Sequence, residues 1–384
     1  MGGSVSRPFY LALAGFTALA VAMGVGRFAF TPLLPLMQAD AGLSLTGGSW
    51  LAFANYLGYL AGALATVWLR VPPHVLVRVG LAATGSLTLA VGLIHGFAAW
   101  WMLRFAGGVA SALVLVYASS LTLEGLTGAG ATRLFGFVFG GVGAGIMLTG
   151  LACLAMSALG LDSAAIWVAF GAAALVASAA LWPVFATSPS PDAQVDHAGS
   201  HARWGAGAWT LIVAYGLYGF GYIIPATFLP VIARDLLGGA FASGWFWPMF
   251  GAAAFVGSTV AGRVQDAHLR RALVTCFVLE ALGVIVPVVI ANAAGLALGS
   301  LLLGVAFVAI TMLTLREARR MATAKRFAAA PLMGALTASF GLGQLAGPPF
   351  AGYLVAWLGC FGPSLVVASL GLAAGGIALW IMGR

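Results

Sequence analysis

Polar and apolar residues come in blocks along this chain. Apolar runs of about twenty residues, the length at which a helix crosses the hydrocarbon of a bilayer, alternate with short loops of polar residues, glycine and proline. Twelve runs can be drawn, at 9–37, 48–69, 75–94, 98–122, 134–159 and 163–185, then 208–233, 241–262, 272–291, 295–315, 328–357 and 362–382. A segment in lipid must satisfy its own backbone hydrogen bonds, so each is expected to be an α-helix. Between the sixth and the seventh, the stretch from Thr187 to Arg203 is the one sustained polar segment. It is rich in serine and proline, the composition of a linker. The pattern thus predicts an all-α integral membrane protein with six helices in 1–186, a cytoplasmic linker at 187–206 and six more helices in 207–384. The opening run is longer than the apolar part of a secretion signal and has a counterpart in the second half, so it is read as the first membrane helix.

Charge orients the bundle. With the N-terminus in the cytoplasm, Arg7, Arg70, Arg78, Arg133, Arg203, Arg263, Arg270, Arg271, Arg316, Arg319, Arg320, Lys325, Arg326 and Arg384 fall on the cytoplasmic side, and Arg234 alone falls outside. That asymmetry is the positive-inside pattern, and an even number of crossings returns the C-terminus to the cytoplasm. The net charge of +8 is spread over these loops rather than gathered on one face, so no nucleic-acid partner is expected. Only 7% of the residues are charged, against about 25% in a soluble domain. Cys153, Cys276 and Cys360 lie in or beside apolar runs, without the spacing of a disulfide framework or a zinc site. Cys153 and Met156 share a helix face, but no histidine joins them, so no metal site is expected. No phosphate-binding loop and no nucleophile–base pair is present. The reading is therefore of a non-enzyme without cofactors.

Two patterns recur at nearly one offset. Gly24, Gly26, Leu34, Pro35 and Asp40 return 195 positions later as Gly219, Gly221, Leu229, Pro230 and Asp235, with Tyr222 standing where the first copy has Arg27. Gly62 and Arg70, after the second run, return as Gly262 and Arg270, 200 positions on. Parallel repeats of this kind build secondary transporters whose site lies near the bilayer midplane.

On these residues the chain resembles the major facilitator superfamily over essentially its whole length. Gly262, Asp266, Arg270 and Arg271 are similar to its cytoplasmic-loop signature, which implies a charge latch on the inner gate. Thr66 stands where the first-half copy would carry the aspartate. Arg104, followed by Phe105-Ala106-Gly107-Gly108, is similar to the fourth-helix signature, whose arginine is tied to proton coupling. Gly136, Gly140, Gly141, Gly143 and Gly145 are similar to a glycine-rich exporter motif that here lacks its proline. The run Gly24-Val25-Gly26-Arg27-Phe28, then Thr31-Pro32-Leu33-Leu34-Pro35, followed by Asn55-Tyr56-Leu57-Gly58-Tyr59, resembles the YbfB/YjiJ-like branch. The resemblance implies a bacterial inner-membrane carrier with both termini in the cytoplasm.

Arg27 is the leading candidate for solute contact. A charged arginine at helix centre is costly and normally faces the bundle interior, and its planar fork suits carboxylate or phosphate. Tyr215, Tyr218 and Tyr222 are three and four residues apart and share one face of the seventh helix, so the repeat would set them opposite Arg27 across a central cavity. Asn55, Tyr59, Tyr117 and Gln344 are further polar groups in apolar helices. Arg104, with an acidic partner, and Glu280, an acid well inside a span, are the candidates for proton coupling. Asp266, Arg270, Arg271, Glu124 and Arg133 read as gate charges. The function expected is alternating-access transport of a small organic solute, by preference an anion, by a monomer in the lipid bilayer, with protons as the candidate coupling ion. An exporter of amphipathic or aromatic compounds is the alternative, and a membrane sensor or scaffold is the alternative of another class.

Overall fold

The structure, a computed structural model, describes residues 6–186, 204–239, 244–325 and 329–382. Most of the predicted linker, with Arg203, Arg326, Arg384 and the side chain of Lys325, lies outside that description. The first apolar run is three stretches end to end: α1 (Ser6–Leu19), a π-helical segment (Ala20–Phe28) and α2 (Phe30–Asp40). Pro32 offers no N–H to the carbonyls of Phe28 and Arg27, four and five residues before it, so the helical ladder cannot pass through unchanged. The residue 195 positions on is Thr227, which keeps its N–H, and there the helix is an unbroken α8 (Ala206–Leu236).

The remaining helices are α3 (Leu45–Ala65), α4 (Pro73–Leu93), α5 (Phe97–Gly128), α6 (Phe135–Ala158), α7 (Ser163–Leu181), α9 (Phe246–Ala261), α10 (Leu269–Val289), α11 (Ala293–Lys325), α12 (Ala329–Leu358) and α13 (Gly362–Ile381). Ser44 caps α3 by accepting from the Gly47 N–H, and Asp162 caps α7 by accepting from the Ala165 N–H. Nine helical stretches among the described residues are long and apolar enough to cross a membrane. The tenth predicted span overshoots its expected end at 315, because α11 carries on to Lys325. Its added turns hold Arg316, Glu317 and Arg320, and Glu317 binds Arg320 three residues along the same helix.

Helix pairings in the first half return in the second. The packing of α3 on α5, α4 on α5 and α4 on α7 is matched by α9 on α11, α10 on α11 and α10 on α13. The π-helical segment packs on α6 as α8 packs on α12. The chain is thus two pseudo-symmetric bundles of six membrane helices. They meet where α6 lies on α9, α3 on α12 and α2 on α8. Glycine permits the closest of these approaches: a Cβ at Gly143 would strike the backbone of Gly251 and Phe255.

Candidate solute-binding site

Arg27, near the end of the π-helical segment, is 2% exposed. Its Cζ lies 4.2 Å from the ring centre of Tyr59, 4.9 Å from that of Tyr56 and 5.2 Å from that of Phe28. Cation–π contacts of this kind are worth ~2 kcal/mol when desolvated. Nη2 donates to the Tyr222 hydroxyl at 3.4 Å, and Nε has no partner. The same hydroxyl accepts from Nε2 of Gln344, whose Oε1 is unpartnered. The repeat has become geometry here. Arg27 and Tyr222 are 195 positions apart, and so are Thr31 and Ala226, whose hydroxyl and carbonyl bond at 2.7 Å. Equivalent positions of the two halves face each other, but Arg27 and Tyr222 touch directly instead of across an open cavity.

Of the predicted tyrosines on α8, only Tyr222 reaches Arg27. Tyr215, Tyr218 and Tyr222 stack in sequence, with centroids 5.7 and 4.8 Å apart, and Phe340 lies against all three. The other two hydroxyls turn elsewhere: Tyr215 donates to Thr311 Oγ1 at 3.3 Å and Tyr218 to the Phe307 carbonyl at 2.5 Å. Tyr59 joins the Arg27 cage through its ring. Asn55 donates to the Arg104 carbonyl at 2.9 Å and so ties α3 to α5. Tyr117 is half-buried and donates to the Thr66 carbonyl at the end of α3, away from the Arg27 group.

Arg104 corrects an expectation, because no acidic residue partners it among the described residues. Nη1 and Nη2 donate to the carbonyls of Gly26 and Arg27 at 3.3 and 3.1 Å, and the guanidinium lies over Phe30 and Trp167. Pro32 has no N–H to offer the Arg27 carbonyl, five residues before it, and Arg104 occupies that carbonyl together with its neighbour at Gly26. Arg27 likewise has no carboxylate partner among the described residues. Two buried guanidiniums therefore sit together without a protein anion between them.

Glu280 is fully buried on α10, and neither carboxylate oxygen has a partner. It faces protein, not lipid. The expected latch is also redrawn. Asp266 pairs with Arg316 at 2.7 Å, whereas Arg270 binds Glu317 at 3.3 Å and the Met382 carbonyl. The prediction placed these partners past the end of the tenth helix, but α11 extends far enough to bring them to the start of α10. All three ion pairs among the described residues lie within the second half. Arg271 and Arg133 are exposed, and exposed Glu124 accepts from Ser120 on its own helix at 3.3 Å.

Several contacts were not singled out from the sequence. Tyr56 bonds Thr227 across the halves at 3.0 Å, and half-buried Arg234 donates to the Pro35 carbonyl and Gln38 Oε1, both at 3.0 Å. Thr227 had a signal, since it is the counterpart of Pro32. Phe340 and Phe307 had none beyond being apolar.

The sequence signature described as "Uncharacterised MFS-type transporter YbfB" matches residues 19–380. The chain belongs to this family. It is therefore a multi-pass membrane transporter and not an enzyme. A curated relative, "Uncharacterized MFS-type transporter YceJ" of Bacillus subtilis (strain 168), is 29% identical over 144 residues, 33% of this chain. That match spans 36% of the relative's length. Among solved structures, a point mutant of the nucleoside transporter NupG superposes with a TM-score of 0.73 at 13% identity, covering 97% of this chain and 100% of that one. At that identity the likeness is one of fold. A transporter of this fold places the Arg27–Tyr222 contact between its two bundles.

Proposed function

We propose that this transporter carries a small organic anion through the bacterial inner membrane by alternating access, as a monomer with both termini in the cytoplasm. The observation that carries the reading is Arg27: a buried cation held by aromatic rings and one hydroxyl, beside a second guanidinium, with no carboxylate partner among the described residues. A buried charge without a counter-ion is costly, and a carboxylate arriving from solution would supply the missing acceptor in the geometry a guanidinium prefers. Entry requires the Arg27–Tyr222 contact to part, so the bound anion would replace the contact that joins the halves. The wall of Tyr215, Tyr218, Tyr222 and Phe340 favours a planar aromatic acid over an aliphatic one.

The test is the thermal stability of purified protein with benzoate or succinate. A ligand that binds only the folded state raises the melting temperature by mass action. Benzoate should stabilise the parent more than succinate does. Arg27→Gln should weaken that binding roughly ten- to hundredfold, the loss of one or two charged hydrogen bonds. Equal stabilisation of parent and variant sinks the anion reading.

A further inference from the structure

One polar group beside the Arg27 contact is not accounted for by it. Gln344 is fully buried on α12, one turn beyond Phe340, so the two share a helix face. Phe340 forms part of the aromatic wall, and the Gln344 amide rests on the Tyr222 hydroxyl. An amide can turn only one of its two ends to that oxygen, so the other end is left over. With Nε2 on the hydroxyl, the end left over is Oε1, a buried acceptor that no donor meets among the described residues. Buried acceptors are nearly always met, so this one calls for a cause.

The other half presents the opposite case. Arg27 Nε is a buried donor that no acceptor meets among the described residues. The Tyr222 hydroxyl stands between the two, accepting from Arg27 Nη2 at 3.4 Å and from Gln344 Nε2. A single oxygen atom therefore spans the gap from a cation on the first half to an amide on the second. A solute that parts Arg27 from Tyr222 enters this gap. At one end it meets a donor in need of an acceptor, and at the other an acceptor in need of a donor. A plain carboxylic acid answers only the first and leaves Oε1 bare against its apolar edge.

We infer that Gln344 sets the specificity of the site for a planar aromatic acid that carries a hydroxyl or amino group on its ring, away from the carboxylate. The carboxylate accepts from Arg27 and the ring substituent donates to Gln344 Oε1, so the solute bridges the two halves. A hydroxyl ortho to the carboxylate does not serve, because it donates to its own carboxylate. The inference rests on the anion reading for the carboxylate end alone.

The test is titration calorimetry of the purified full-length protein with benzoate and its ring-substituted forms. At least one of meta- and para-hydroxybenzoate should bind about fivefold tighter than benzoate, the worth of one uncharged hydrogen bond. Para-methoxybenzoate, which accepts but cannot donate, and salicylate, whose hydroxyl is engaged internally, should gain nothing over benzoate. In Gln344→Met, similar in length but without the amide, the hydroxybenzoates and benzoate should bind alike. If Gln344→Met does not fold, the series on the parent decides. Methoxybenzoate matching the hydroxybenzoates, neither hydroxybenzoate exceeding benzoate, or an undiminished hydroxyl advantage in Gln344→Met overturns the inference. Benzoate binding that Arg27→Gln abolishes, with no gain from any hydroxyl, overturns it and spares the anion reading. Phenol bound as tightly as para-hydroxybenzoate, and weakened by Gln344→Met, sinks the anion reading and leaves the donor contact to Gln344 standing.

Discussion

Two guanidiniums are buried in the same half, and they differ in what they donate to. Arg104 bonds the carbonyls of Gly26 and Arg27, the second of which Pro32 leaves without an N–H. Arg27 is held by rings and by one hydroxyl at 3.4 Å. Removing Arg104 should therefore cost stability, because the Arg27 carbonyl loses its donor. Arg104→Leu is expected to destabilise by about 1–3 kcal/mol, the cost of one buried group left unsatisfied. Arg27→Leu loses ring contacts and one hydrogen bond but also removes a buried charge without a counter-ion, whose desolvation is costly. Its melting temperature should stay nearer the parent's than that of Arg104→Leu while stabilisation by benzoate disappears. Thermal denaturation of both variants in detergent checks the pair, and a lower melting point for Arg27→Leu than for Arg104→Leu would contradict the division of roles. The Arg27–Tyr222 opposition was legible in the sequence because a repeat predicts which positions face each other. The partners of Arg104 were not, because an open carbonyl is a property of the ladder and any residue can supply one.

At the scale of the element, the irregular first span matters most. Its apolar run gave the span its place, yet the division into α1, the π-helical segment and α2 was not predicted, since hydrophobicity does not distinguish a π turn from an α turn. The two prolines were visible, and their consequence follows from counting which carbonyls they leave without a donor. Pro32→Ala returns an N–H at that position. The ladder should then close as an α-helix, draw the carbonyls of Phe28 and Arg27 back into it, and turn the Arg27 side chain away from Tyr222. Binding of benzoate should fall about tenfold, the worth of one charged hydrogen bond, with the fold retained by circular dichroism. Undiminished binding would mean that the proline does not hold Arg27 in place. Helix ends were the other weak point of the sequence reading. The first charge after an apolar run marks where lipid stops, not where the helix stops, and α11 continues because Arg316, Glu317 and Arg320 find partners there. Close helix contacts follow the glycines that were legible in the fifth span. Gly143→Val should push α6 from α9 and cost ~1–3 kcal/mol, as overpacking typically does, read as a lowered melting point.

For the whole molecule, the side-chain hydrogen bonds between the halves gather toward one end. Among the described residues, the side-chain hydrogen bonds that join them run from Arg27–Tyr222 through Thr31–Ala226 and Tyr56–Thr227 to Arg234 with Pro35 and Gln38. They climb from the middle of the bundle toward the face opposite the termini, whereas the ion pairs of the terminus-bearing face stay within the second half. At the terminus-bearing end α6 and α9 touch as well, where a Cβ at Gly136 would lie 3.0 Å from the Gly262 Cα, so the halves meet along their length. Arg234 is the outermost of these donors, and it is the one cation that the charge asymmetry leaves on the outer side. Its position is accounted for by reach: from the end of α8 it spans to the end of α2 and donates twice. Arg234→Ala removes both bonds, and a half-buried hydrogen bond from a charged donor is worth about 1.5 kcal/mol, close to a tenfold change in an equilibrium. Spin labels at Ala41 and Trp245, both exposed on that face, should gain a longer-distance population in Arg234→Ala by about that factor. Arg316→Ala, whose partners are all in its own half, should leave the same distance unmoved. If breaking the Arg234 contacts changes nothing while Arg316→Ala opens this face, the closure lies elsewhere than in the contacts between α2 and α8.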